Sequence, residues 1–393
     1  MDTLNDEQRA WQMKAREFAQ AEIRPISLAR DRIANPGGTW DWDIIRKGSQ
    51  LGFRTAVVPK EWGGHGIDFV TQALVMAELA KADSAISKAF SQNWKWSHLI
   101  AGACTEEQKE RFLKPFIADD TCVLGFGGTE PNAGSDNRFP PEDDPRAGMK
   151  LKAERRGEEW ILNGEKTFIA NGGVGKLFFV GARTNPDVPV REGTTVFMVP
   201  VGTPGFRIGK VFNKSGWRFY QNAELIFENA RVPHANVLGE VNGATRARQR
   251  GGAAEFNDFE LACNALGVCD DACESALRHA KVQERGGKHL IEQQSVQLKL
   301  SEMHMLTEAL RSFVMRIAWE IDRAMPGPVN IVLLMNFSSD VIQRVTSLNM
   351  AIHGATGGVM DAHADKLVRD GIIWTHLAGD STQRLKVILR LAR

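Results

Sequence analysis

The chain has 393 residues, 43% of them hydrophobic and 25% charged, a composition that supports two or three structural units around substantial cores. With 49 basic against 48 acidic residues the formal net charge is +1, which argues against a polyanion-binding face and against nucleic acid as a partner. The first residues carry acids (Asp2, Asp6, Glu7) and no apolar core of a secretory signal, and no uninterrupted apolar run reaches membrane-spanning length, so a cytoplasmic protein without a membrane partner is expected.

From residue 3 to about 119 apolar and charged positions alternate at helical spacing. Trp11, Ala15, Phe18 and Ile23 line one side of the first helix, and Leu74, Ala77, Leu79 and Ala80 do so later. Pro36-Gly37-Gly38 and Trp62-Gly63-Gly64-His65-Gly66 read as loops. The aromatic-rich segment from Phe90 to Ser97 reads either as core packing or as the wall of a ligand cavity.

From about 120 to 235 the period shifts towards two. Met149–Ala153, Glu159–Leu162, Lys176–Val180, Thr195–Val199 and Glu224–Phe227 are expected strands between Gly, Asn, Asp and Pro turns, a pattern that suits a compact β-domain rather than βαβ units. The proline- and acid-rich segment 137–146 reads as an exposed loop. After Val232-Pro233-His234 the chain is helical again. Leu300, Met303, Leu306, Leu310, Phe313, Ile317 and Ile321 step by three or four, defining a long amphipathic helix that stops before Pro326-Gly327-Pro328. Helices of this length pack as antiparallel bundles, often across a subunit boundary. Of the five cysteines, Cys263, Cys269 and Cys273 share one helical stretch with no histidine at ligand spacing, so reduced, buried thiols are expected and no metal site.

Two stretches carry chemistry. Thr129-Glu130-Pro131-Asn132-Ala133-Gly134-Ser135-Asp136 follows an apolar, glycine-rich strand; its short turn lets backbone N–H groups and small hydroxyls converge on one electron-rich acceptor, which suits a flavin or a nucleotide. About 35 residues on lies Asn163-Gly164-Glu165-Lys166-Thr167-Phe168-Ile169-Ala170-Asn171-Gly172-Gly173, a tight turn, an alternating strand and a second glycine turn.

In this order the two motifs closely resemble the acyl-CoA dehydrogenase family. Arg285, Gln294, Gly354-Ala355-Thr356-Gly357, Arg369-Asp370 and Gly379-Asp380-Ser381 extend the resemblance nearly to the C-terminus. It implies an α+β fold: an N-terminal all-α domain (1–119), a middle β-barrel or sandwich domain (120–235) and a C-terminal four-helix bundle (236–393). It also implies FAD between the last two domains, an acyl-CoA substrate, electron-transferring flavoprotein as the electron acceptor, and a homotetramer or homodimer. Carried over by position, Phe126, Gly128, Thr129 and Ser135 are the first flavin and acyl-CoA contacts, and Phe168 and Ala170 lie beside the isoalloxazine ring. Arg285, Gln294, Gly354 and Gly357 reach the adenine-dinucleotide half of a flavin in a neighbouring subunit, and Asp380 adjoins the cofactor. A guanidinium offers a fork to a pyrophosphate, and glycines let backbone approach it.

Several positions depart from the family. Dehydrogenation needs a carboxylate to remove the α-proton of the thioester while hydride passes to flavin N5. Most members place that glutamate where this chain has Ala378; a minority place it where this chain has Asn257. The acids nearest the second position are Asp258, which replaces a family arginine, and Glu255, three residues before it. Asp258 is the expected base, with Glu255 next and Asp380 a third option. Phe168 and Ala170 replace the family's tryptophan and threonine, Ala351 replaces a glutamine, Phe219-Tyr220-Gln221 replaces a polar pair, and about two residues are missing after Arg285. Three readings therefore stay open: a dehydrogenase of an unusual subgroup, a flavin monooxygenase or non-oxidative acyl-CoA lyase or desulfinase on the same fold, and a non-catalytic binding relative.

Overall fold

The computed structural model describes residues 4–134, 137, 144–250, 253–325, 327, 330–377 and 381–391. It begins with six helices: α1 (Asp6–Phe18), α2 (Arg24–Asp31), α3 (Trp42–Gln50), α4 (Phe69–Ala82), α5 (Ser84–Ala103) and α6 (Glu106–Ala118). Eight strands follow: β1 (Leu124–Gly127), β2 (Lys152–Arg156), β3 (Glu159–Ala170), β4 (Leu177–Arg183), β5 (Thr194–Pro200), β6 (Phe206–Val211), β7 (Asn222–Pro233) and β8 (Val237–Leu238). The remainder is α7 (Ala244–Arg250), α8 (Ala253–Val282), the two-residue strands β9 (Glu284–Arg285) and β10 (Lys288–His289), α9 (Gln294–Asp322), α10 (Asn330–His353), α11 (His363–Gly371), α12 (Trp374–Leu377) and α13 (Ser381–Leu391). The order is thus a helical N-terminal part, a middle sheet and a helical C-terminal part.

Helix starts are written locally. Asn5 accepts from Gln8 N while the Gln8 side chain accepts from Asn5 N, and Thr105 and Gln108 repeat the arrangement ahead of α6. Between α1 and α2 the chain makes one wider π-turn over Ala19–Ile23, which accounts for the five-residue step that keeps both Phe18 and Ile23 buried.

In the sheet the strands run β6-β7-β3-β2-β4-β5-β8, with β1 joined in parallel to β4. β4 is buried along its whole length because it is covered on both faces. Leu177 and Phe179 meet Trp96, Phe112 and Phe116 of α5 and α6, whereas Phe178 and Val180 meet the cluster of Trp160, Phe206 and Phe227. This answers the open reading of the Phe90–Ser97 segment: Trp94 donates from Nε1 to Phe53 O (2.6 Å), Trp96 stacks on Phe179 and Phe126, and the aromatics are core.

One continuous apolar core joins α1, α3, α4 and α5 to α8, α9 and α10. α8 crosses α4 closely enough that a Cβ on Gly267 would fall 2.3 Å from Ala77 O, so this crossing requires glycine. A buried charge network ties the three parts together. Asp83 caps α5 and lies 3.2 Å from Lys366, Lys366 donates to Asp370 (2.6 Å), Asp370 accepts Trp217 N (2.7 Å) from the loop between β6 and β7, and Arg369 pairs with Asp31 (2.6 Å). All five cysteines are free and buried, and no cluster suited to a metal ion occurs among the described residues. No helix among the described residues is long and apolar enough to cross a membrane.

Candidate active site

The turn after β1 is held from beneath by one carboxylate. Glu130 accepts Lys166 Nζ (2.6 Å), Leu151 N (3.0 Å) and Lys150 N (2.5 Å), and both Glu130 and Lys166 are buried. Thr167 N donates to Thr129 O (2.9 Å) and Asn137 Nδ2 to Gly128 O (3.3 Å), so Gly128 and Thr129 stand at a fixed, half-buried edge. Phe126 stacks on Trp96 with centroids 4.8 Å apart.

The end of β3 supplies the facing surface. The β3–β7 ladder breaks register between Lys166 and Ile169, and Phe168 takes a left-handed backbone conformation (φ 55°). An aromatic residue held there carries strain that the surrounding structure must support. The residue is 57% exposed and its ring stacks on Phe212 at 4.2 Å, while Asn222 Nδ2 fixes its carbonyl at 2.7 Å. Ala170 follows at the edge of the core, and Asn171, also left-handed, donates to Leu124 O while its Oδ1 is buried without a partner among the described residues. The result is a flat apolar platform on rigid supports.

In the loop between β6 and β7, Trp217 donates to Ser84 Oγ (3.0 Å) and packs edge-on against Trp374, whose Nε1 donates to Leu261 O (3.2 Å). Tyr220 is buried with no partner for its hydroxyl among the described residues, and burial together with nearby Glu260 pushes its phenol well above its usual range. Glu260 was not singled out from the sequence. It is fully buried in α8, and its carboxylate accepts from Lys88 Nζ (2.5 Å) and from Ser91 Oγ, both on α5. Its only sequence signal is an acid inside the apolar run Phe259-Glu260-Leu261-Ala262-Cys263. One turn earlier, Phe256 and Phe69 enclose His98, whose Nε2 has no partner among the described residues; burial lowers that imidazole to about 4.

The expected bases Asp258 and Glu255 fall in the opening turns of α8, but their side chains lie outside the described residues, as do Ser135 and Asp380.

A second feature lies at the far end of the bundle. Arg285, Gln283, Lys299, His279, His353 and Gly354 line a cavity of about 350 Å³ where the end of α8, the start of α9 and the turn after α10 meet. Of the sequence candidates, Arg285 and Gly354 line it, Gln294 sits exposed at the head of α9 beside the lining residue Ser295, and Gly357 is buried behind His353. Where the sequence is short after Arg285, the chain reverses in two left-handed residues, Gly286 (φ 60°) and Gly287 (φ 76°), pairing Arg285 with Lys288. Gln283 was not anticipated; it is brought in by the last turn of α8.

Helical, sheet and helical parts follow in this order, with an aromatic platform at the sheet's edge and a cationic cavity at the end of the bundle. The chain belongs to the acyl-CoA dehydrogenase family: the family's N-terminal, middle and C-terminal domain models match residues 5–120, 125–230 and 254–392. It is 30% identical to the probable acyl-CoA dehydrogenase YngJ of Bacillus subtilis over 389 residues, 98% of each chain. The butyryl-CoA dehydrogenase structure from Megasphaera elsdenii superposes with a TM-score of 0.91 at 30% identity, covering 100% of both chains. A structure described under the electron transferring flavoprotein of Acidaminococcus fermentans matches with TM-score 0.91 at 31% identity over 100% of both chains. The family comprises FAD-dependent oxidoreductases acting on CH–CH groups, and this chain is one of its enzymes.

The residues present fit FAD. The exposed Phe168–Phe212 stack offers a planar ring an apolar face, and the cavity offers a diphosphate a guanidinium, an ammonium and a left-handed glycine (Gly354, φ 63°) with no side chain in the way.

Proposed function

We propose that this protein oxidises an acyl-CoA thioester between Cα and Cβ with FAD, and that electron-transferring flavoprotein takes the electrons. Bound FAD supplies the hydride acceptor. The observation that carries the reading is Phe168: an exposed residue in a left-handed backbone near the end of β3, its ring stacked on Phe212 and its carbonyl braced by Asn222. Such a strained, exposed aromatic is explained by a planar partner resting on it.

This chain's residues divide the work. Phe168 and Ala170 orient the ring, with Phe126, Gly128, Thr129 and Ser135 along the edge shared by flavin and thioester. Asp258 removes the α-proton, with Glu255 three residues earlier on the same helix as the next candidate. Trp217 and Tyr220, from the loop between β6 and β7, pack with Trp374 of α12 into a buried aromatic group that keeps water out where the sheet meets the bundle. Arg285 and Gly354, with Gln294 and Gly357 nearby, hold the dinucleotide half of a flavin across a subunit boundary, which calls for a homodimer or homotetramer.

Purified protein should be yellow, and anaerobic addition of a panel of acyl-CoA thioesters should bleach the flavin with at least one of them. Asp258→Asn should keep the flavin and lose turnover by about a hundredfold or more. Bleaching only by externally supplied reduced flavin, with oxygen uptake, would instead identify a monooxygenase.

A further inference from the structure

The cavity at the far end of the bundle contains two stacked imidazoles. His279 on α8 and His353 at the end of α10 lie with ring centroids 4.1 Å apart and planes inclined by 25°. His353 Nδ1 lies 2.9 Å from Asn349 O; a carbonyl only accepts, so Nδ1 carries the proton, and in the neutral ring Nε2 faces Ser275 Oγ at 3.5 Å as an acceptor.

The surrounding charge is one-sided. From α8 comes Arg278, within electrostatic reach of His353, and just after it Gln283; from β9 comes Arg285, within reach of His279. From α9 comes Lys299, and from α11 comes His363, which bears on His353. Acids on the neighbouring elements are already engaged: Glu274 with Arg278 and Lys81, Asp271 with Arg24 and His363, and Glu284 with His289. No described lining residue of the cavity is acidic. Burial lowers both imidazoles below their usual range, helped by His353 and Arg285 at His279 and by His363 and Arg278 at His353, where the Asn349 carbonyl offsets part of the shift.

We propose that His279 and His353 form a proton-linked clamp for the diphosphate of a nucleotide: the pair stays neutral in the free protein and takes up a proton from solvent when the diphosphate seats beside Arg285 and Lys299. The inference rests on reading this cavity as the dinucleotide end of the FAD site. The physical reason is linkage. A polyanion placed among these groups favours the charged imidazole, so the bound state holds more protons than the free one, and affinity strengthens as pH falls. The gain is complete below the imidazoles' depressed free-state range and is lost as pH rises through the raised bound-state range.

The test is calorimetric titration of FAD, and separately of ADP, into full-length protein stripped of flavin. Titrations run at pH 6 and pH 8, in phosphate-free buffers of different ionisation enthalpy so that protons are counted. Uptake approaching one proton, with both ligands about tenfold tighter at pH 6, is the expected result. His279→Phe keeps the ring stack and should bind ADP with a flattened pH dependence; His353→Gln, which keeps an amide in place of the ring, should do the same. Equal affinity at both pH values with no proton exchanged in the unaltered protein would overturn the clamp while leaving the dinucleotide reading intact. No binding of FAD or ADP at either pH would overturn both.

Discussion

Two buried lysine–glutamate pairs, one in the middle sheet and one between helices, are not equivalent. Lys166–Glu130 lies inside the middle sheet, where the carboxylate is saturated: it receives one ammonium and two backbone N–H groups. Lys88–Glu260 spans α5 and α8, where the carboxylate receives an ammonium and a hydroxyl, and an unpartnered tyrosine hydroxyl stands nearby. The same chemistry therefore serves two ends. The first pair fixes a backbone turn whose shape must not vary. The second fixes the spacing of two helices, α5 and α8.

Breaking the pairs separately should expose this difference. Glu130→Gln leaves a buried ammonium and weakens the support of two backbone donors, and a cost near the upper end of the range for disrupted buried pairs, about 4–5 kcal/mol, is expected in chemical denaturation. Glu260→Gln should fall lower, at about 3 kcal/mol, because no backbone donor depends on it. Equal costs would mean that the backbone bonds to Glu130 contribute nothing beyond the ion pair.

His98, one turn from Glu260 along the helix interface, sharpens the second region through pH. Its imidazole is lowered to about 4 by burial, against an ordinary value of 6.5. The unfolded chain therefore binds the extra proton between those values, and stability should fall as pH drops from 6.5 to about 4, by up to about 3 kcal/mol, and then level off. His98→Phe should remove that part of the slope; an unchanged acid limb would place the sensitivity elsewhere. On the sheet side, Phe168→Ala should weaken flavin binding roughly tenfold, the worth of one aromatic stack, with the fold unchanged by circular dichroism. Ser91→Ala, which removes the lesser partner of Glu260, should cost about 1 kcal/mol and no more.

Much of this architecture was legible in local patterns. The three-and-four spacing from Leu300 to Ile321 marks α9, and the apolar strand Leu177–Val180 marks β4, whose unbroken burial reflects cover on both faces. What stayed hidden depends on pairs distant in the chain. Glu260 and Lys88 are 172 residues apart, so no spacing rule joins them, and counting from family positions drew attention to Asp258 instead. The π-turn after Phe18 was visible only as an irregular five-residue step. The shortening after Arg285 does not announce that two left-handed glycines turn Arg285 into a cavity with His279 and His353, residues that no motif marks. The aromatic segment around Trp94 was ambiguous because cavity walls and cores share composition; its contacts with Phe53 and Phe179 make it core.

The central claim is that a flavin rests on Phe168 while a carboxylate from the start of α8 removes a thioester's α-proton. Anaerobic stopped-flow mixing of the yellow protein and its Asp258→Asn variant with a panel of saturated acyl-CoA thioesters, following flavin absorbance, tests it most directly. The account expects rapid bleaching of the unaltered protein by at least one thioester and a variant that stays yellow with the same compound. A flavin that no thioester bleaches, or a variant that bleaches as fast as its parent, would contradict it.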